Sequence, residues 1–182
     1  NSFANIHSYF PMMLAKLANQ NKIQQLIHVS ALGVEKAVDS KYAISKLNGE
    51  KNVLKFFNKS LILRPSIVYS IDDNFSTTFM TLLNRLPIFP IYYNGKTKFT
   101  PIHCSDMTDI ILNAINKNIN SKIIECVGPE ILSFKEILII LLNSIDKKRF
   151  FLPFPLFAAK ISAKIFEIMP NPFLTSDQLK LL

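Results

Sequence analysis

Tyr42 and Lys46 stand four residues apart in the run Tyr42-Ala43-Ile44-Ser45-Lys46. On a helix that spacing puts both side chains on one face. A Tyr with a Lys one turn on can work as an acid/base pair. The ammonium favours the phenolate and draws the phenol pKa down from about 10 toward working pH. The same ammonium can hydrogen-bond the ribose hydroxyls of a bound dinucleotide. Gly49 shares that face, where a missing side chain permits close approach. Taken alone the pattern is weak, because a Tyr and a Lys at this spacing are most often a solvated helix face.

Other chemistries are poorly supplied. His7, His28 and His103 are far apart and have no C-x-x-C partner, so no metal site is expected. The four glycines, Gly33, Gly49, Gly95 and Gly128, are too dispersed to build a phosphate-cradling loop within this chain. Cys104 and Cys126 sit in apolar, strand-like runs and are expected to be buried free thiols in a reducing compartment.

The elements that must position Tyr42 and Lys46 follow from periodicity. Residues 6–21 read as a helix, with Pro11 acceptable only near its first turn or at a kink. Residues 25–30 form a short β-rich run, 40–57 a long helix and 60–69 a second strand segment. This close alternation is that of a parallel α/β sheet. Beyond Tyr69 it loosens. Residues 74–86 read as a helix, followed by a connector holding Pro87 and Pro90. Residues 98–104 are strand-like, and Asp106 is placed to cap a helix running to about 116. Another strand is expected over 122–127. Ser133 and Glu136 have capping-box spacing at the head of a helix to about 145. A short strand over 150–152, an amphipathic helix over 156–168 and a cap at Thr175 or Ser176 complete the pattern.

The composition agrees with a packed domain. Of 182 residues, 49% are apolar and 19% charged, which excludes a disordered tail or a highly charged coiled coil. The net charge of +8 comes from scattered lysines; only Arg64, Arg85 and Arg149 are arginines. Nucleic acid is not an expected partner, because no basic stripe is interleaved with aromatics. No apolar run is long enough to span a bilayer.

In order along the chain, His28-Val29-Ser30-Ala31-Leu32-Gly33, Tyr42 to Glu50 (YAISKLNGE), Leu63 to Tyr69 (LRPSIVY), Pro101 to Asp106 (PIHCSD) and Val127-Gly128-Pro129-Glu130 form a combination far more specific than any one motif. It resembles the extended and atypical short-chain dehydrogenase/reductase superfamily, which includes the NAD-dependent epimerases and dehydratases. A narrower resemblance rests on His28 to Gly33, Phe99-Thr100-Pro101-Ile102-His103, Leu152-Pro153-Phe154-Pro155 and the run 174–182. It points to the group holding the nucleotide-binding accessory subunit of respiratory complex I and its bacterial relatives.

The resemblance implies an α/β fold: the C-terminal portion of a Rossmann-type, doubly wound parallel sheet, plus a small α/β substrate-side domain. Residues 1–69 would complete the nucleotide domain, and 70–182 would mostly form the smaller one. The chain is expected to be part of a longer protein whose glycine-rich turn lies upstream. The implied cofactor is NADP or NAD. The implied cofactor-binding residues are Val29, Ser30, Tyr42, Lys46, Pro65, Ser66, Ile67 and Val68, and the implied catalytic group is Tyr42, Lys46 and Ser30.

Departures from the family pattern matter. The catalytic hydroxyl of the epimerase-like alignment falls at Ala31, with Ser30 one place early, and one place reverses the face on a strand. Ser30 can serve if the strand end turns, or can satisfy its own strand-end backbone. Where the family has Val-Tyr-Gly-Pro, this chain has Val68-Tyr69-Ser70-Ile71, which suggests a changed loop exit. Tyr69 reads as a packed aromatic. Asp106 with His103 could form an acid/base pair, although a helix cap and a strand-end residue are preferred.

Two functions follow. One is an accessory or assembly protein of a respiratory complex, with a structural or sensory nucleotide. The other is an active oxidoreductase, epimerase or dehydratase acting on a nucleotide sugar or similar alcohol. Location would be cytoplasmic or in the mitochondrial matrix, peripheral on the inner membrane. Lys147-Lys148-Arg149, the Phe-rich run after it and a helix with Phe157, Ile161, Ile165 and Ile168 on one side could meet an anionic bilayer. The same aromatics could instead pack within the small domain.

Overall fold

A computed structural model describes residues 2–153. The helix expected over 156–168 and the cap at Thr175 or Ser176 lie outside the described residues. Two compact units are present. The first takes in Asn1–Ser66 and Cys104–Val127; the second takes in Ile67–His103 and the residues from Gly128 onward. Part of the span 70–182 thus lies with the first unit.

In the first unit a π-helical turn, Asn5–Tyr9, runs without a break into α1 (Phe10–Gln20), and Pro11, which has no N–H to give to a preceding turn, stands where the wider π turn meets the α-helix. Strand β1 (Leu26–Val29) follows, then α2 (Lys41–Phe56) and β2 (Ser60–Pro65). The hydroxyl of Ser40 accepts from the Ala43 N–H and caps α2. Further along the chain, α4 (Cys104–Asn116) and β7 (Lys122–Cys126) return to this unit. The sheet order is β1-β2-β7, all parallel, with His28 opposite Ile62 and Leu63 opposite Ile124. Leu61, Ile62 and Leu63 are fully buried, as the continuous apolar run of a central parallel strand should be. Ala15 and Ala18 of α1 meet Val53, Phe57 and Ile62 in one cluster. Small residues on α1 let the two helix backbones come close.

Gly49 marks the closest approach. A Cβ built there would lie 2.0 Å from the backbone oxygen of His7. The close approach expected at Gly49 is therefore made by the chain's own N-terminal turn. Gly to Ala in a helix ordinarily stabilises by about 0.5–1 kcal/mol. Here Gly49→Ala is expected to destabilise by about 1–3 kcal/mol, the usual cost of overpacking. A urea unfolding curve checks this, and a raised midpoint would contradict the packing described.

In the second unit β3 (Val68–Tyr69) pairs in parallel with β6 (Ile102–His103), and β5 (Lys98–Phe99) pairs antiparallel with β8 (Leu132–Ser133). Helices α3 (Asn74–Arg85) and α5 (Phe134–Ser144) share a core of Leu83, Phe89, Ile91, Phe134, Leu138 and their neighbours. The capping box is present: Ser133 Oγ accepts from the Glu136 N–H, and Glu136 accepts from the Ser133 N–H.

Three expectations need correction. The stretch between Pro87 and Pro90 is not a plain connector: β4 (Ile88–Ile91) pairs in parallel with β9 (Phe150–Pro153). A two-stranded sheet has free edges, so Pro90 is tolerated, while Phe89 and Ile91 alternate into the core. Asp106 is not a cap, because β6 runs directly into α4 at Cys104 and leaves Asp106 inside the first turn. There its charge favours the helix dipole, and Ser105 Oγ donates to it at 3.4 Å. Cys104 is exposed; only Cys126 is buried, and burial raises its thiol pKa.

Candidate functional site

Strand β1 delivers Val29 and Ser30 to its C-terminal end, and α2 carries Tyr42 and Lys46. The ammonium of Lys46 donates to the Val29 carbonyl at 3.2 Å and lies 5.9 Å from the centre of the Tyr42 ring. Val29, Tyr42 and Lys46 are thus brought together. Ser30 is buried, with its N–H bonded to the Leu63 carbonyl at 2.7 Å. Its hydroxyl has no hydrogen-bond partner among the described residues, so it does not satisfy its own strand end. An orphaned buried hydroxyl is costly unless something else meets it.

Pro65 and Ser66 close the neighbouring strand. The Leu32 N–H donates to the Pro65 carbonyl at 2.8 Å, which ties the loop after β1 to the end of β2. The Ser66 N–H donates to the Cys126 carbonyl at 3.0 Å. Ile67 and Val68 stand in the second unit, where the Ile67 carbonyl accepts from the Ile102 N–H and Val68 pairs with Ile102. Tyr69, half exposed, sets its ring edge-on to His103 at 5.2 Å.

The surroundings of Tyr42 were not foreseen. Phe3 and His7 present their rings to it edge-on at 5.8 Å and 5.2 Å, and stack on each other. His7 Nδ1 is 3.0 Å from Ser45 Oγ, which itself donates to the Tyr42 carbonyl. Burial pushes the Tyr42 phenol above its ordinary pKa. This corrects the expectation that Lys46 would lower it, since desolvation here dominates any help from the ammonium. Burial also lowers the pKa of Lys46, and the Glu50 carboxylate acts the other way by favouring its charge.

Sequence reasoning also missed what anchors α2. Glu50, one turn past Lys46, is 2% exposed and takes a two-pronged ion pair from Arg64 of β2, with N···O distances of 3.0 and 2.8 Å. Arg64 also reaches Glu35 at 3.1 Å, so one guanidinium holds the helix and the β1–α2 loop to the sheet. The available signal was a charged residue inside an apolar strand, which needs a carboxylate partner when buried.

His28 is half-buried. Its Nε2 is buried and has no partner among the described residues, and its pKa falls to about 4, first through burial and then through the Lys46 charge. The folded state therefore binds fewer protons than the unfolded chain between about pH 6.5 and 4. Stability should be fully present above 6.5 and decline as pH falls through that window. His7, lowered for the same reasons, adds to the effect. Urea midpoints at pH 7.5 and 4.5 should differ less in His28→Leu than in the native chain; an equal difference would remove His28 as the cause.

The parallel β1-β2-β7 sheet with α1 and α2 packed against it is a Rossmann-type arrangement. Solved structures agree on the fold. A dTDP-4-dehydrorhamnose reductase from Clostridium acetobutylicum matches 98% of this chain and 70% of its own, with a TM-score of 0.71 at 17% identity. A dTDP-glucose 4,6-dehydratase from Streptomyces venezuelae, with NAD bound, matches 84% and 55%, with a TM-score of 0.69 at 18% identity. In sequence the chain is similar to the mitochondrial NADH dehydrogenase (ubiquinone) 1 alpha subcomplex subunit 9. It is 28% identical to that of Dictyostelium discoideum over 74% of this chain and 36% of the relative. It is 25% identical to that of Mus musculus over 98% of this chain and 48% of the relative. The chain thus spans less than half the length of these curated relatives. No family model matches it.

Proposed function

We propose that this chain contributes the Tyr–Lys side of a nicotinamide dinucleotide site in an accessory or assembly subunit of a respiratory membrane complex. The observation that carries this reading is the Lys46 ammonium fixed at the end of β1 beside Tyr42, with the buried Ser30 hydroxyl left without a partner among the described residues. These residues fit the group. Lys46 would bond the ribose hydroxyls, Tyr42 would flank the nicotinamide end, and the backbone at Pro65 and Ser66 would line the ring's pocket. When bound, the dinucleotide would supply hydride chemistry. The similarity to the NADH dehydrogenase subunits supports a complex I partner and a mitochondrial or inner-membrane location.

Structural or sensory use of the nucleotide is favoured by two features of this chain. Ala31 stands where the family's substrate-holding hydroxyl falls. The Tyr42 phenol, raised by burial, is a weaker acid than an exposed tyrosine. The second reading, turnover of a nucleotide sugar or similar alcohol, is supported by the paired Tyr42 and Lys46 and by the orphaned Ser30 hydroxyl. Among the described residues no helix is long and apolar enough to cross a membrane. Arg149 donates to the Leu83 and Asn84 carbonyls at the end of α3, and Lys147 bonds the Asn84 side chain. Part of the basic cluster is therefore engaged within the second unit, which favours docking through a protein partner over lipid.

Calorimetric titration of the full-length protein with NADP, NADPH, NAD and NADH tests this reading. Micromolar or tighter binding of at least one of them is expected. Heats no greater than dilution for all four would refute it.

A further inference from the structure

The second unit contains a cavity of about 310 Å³. One wall is a face of α5 on which Ile137, Ile140 and Leu141 recur at helical spacing. Phe75, at the start of α3, and Leu132 of β8 oppose it. Phe75 is held edge-on by Phe79 at 4.8 Å, and Phe79 by Phe134 at 5.3 Å, so the wall is backed by packed aromatics. Hydroxyls are offered by Ser76 and Tyr69. Among the described lining residues the charged side chain is a carboxylate, Glu130, and it is exposed.

We infer that this cavity binds an uncharged, mainly apolar small molecule carrying a single hydrogen-bonding group, not a nucleoside diphosphate sugar. The volume lies at the lower end of small-molecule sites, which run from roughly 300 to 1,000 Å³ and are apolar with few polar groups. A diphosphate needs cationic or N–H donors to replace its water. The described lining offers no Lys, Arg or His, and Glu130 repels an anion at the rim. An aromatic or acyl group against Phe75, Ile137, Ile140 and Leu141, with its polar end toward Ser76, meets the chemistry that is present. The inference goes beyond the proposed function and does not rest on it: Ile67, which the resemblance counts among the cofactor-binding residues, also lines the cavity, but the residues that carry the argument are others, all in the second unit.

The test uses the full-length protein, with and without NADPH, and two fluorescent probes: uncharged N-phenyl-1-naphthylamine and anionic 8-anilino-1-naphthalenesulfonate. The uncharged probe should bind with blue-shifted emission, about tenfold more tightly than the anionic one. Excess UDP-glucose should not displace it. Ile140→Trp fills the cavity from a half-exposed position and should weaken the uncharged probe by about tenfold or more without lowering the melting temperature. Glu130→Lys, at an exposed site that should not disturb folding, should bring the anionic probe close to the uncharged one. Absent binding, displacement by UDP-glucose, unchanged affinity in a folded Ile140→Trp, or no gain of anionic binding in Glu130→Lys would each overturn the inference. None of these readings depends on whether the dinucleotide binds.

Discussion

Glu50→Ala is expected to destabilise the first unit by about 3–5 kcal/mol, the cost of leaving a buried charge without its partner. Glu50 is 2% exposed, and the Arg64 side chain that it pairs is 13% exposed. Removing the carboxylate strands the guanidinium in the sheet, where the Glu35 ion pair and the Glu125 charge remain to meet it. The Glu35 side chain is 37% exposed, so Glu35→Ala should cost only about 1 kcal/mol or less. Urea unfolding of the three proteins measures both effects. A loss below about 1 kcal/mol in Glu50→Ala would show that the pair does not anchor α2.

Lys46→Ala is expected to weaken dinucleotide binding by about 1.5–3 kcal/mol, or roughly tenfold to a hundredfold in Kd. The ammonium would make charge-assisted bonds to ribose from the place where its contact with the Val29 carbonyl holds it. The same calorimetric titration reads this directly. Stability should change little, because Lys46 makes one backbone bond and loses charge preference through burial. Unchanged affinity in a well-folded variant would remove Lys46 from the site.

The parallel sheet was legible because its two first strands are short, apolar and separated by one amphipathic helix. Ser40 and the Ser133–Glu136 box were legible because caps are local. The placement of β7 beside β2, and of β9 beside β4, was not. Such pairings join residues some sixty apart, and no local pattern encodes them. The candidate site divides in the same way. Tyr42 and Lys46 are neighbours on one helix, so their spacing gave them away. Glu50 and Arg64 lie on different elements, and their bond depends on how α2 is laid on the sheet. The Tyr42 phenol is raised by burial, and the packing of Phe3 and His7 around its ring is encoded by no local pattern. Cys104 shows the limit of composition: an apolar neighbourhood in sequence became an exposed helix start.

The most direct measurement of the central claim is mass spectrometry of small molecules released by denaturing the full-length protein after purification without added nucleotide. The account predicts a nicotinamide dinucleotide at a substantial fraction of one per protein, reduced in amount by Lys46→Ala. A folded protein that releases none, and takes up none when incubated with NADPH or NADH before desalting, would contradict it.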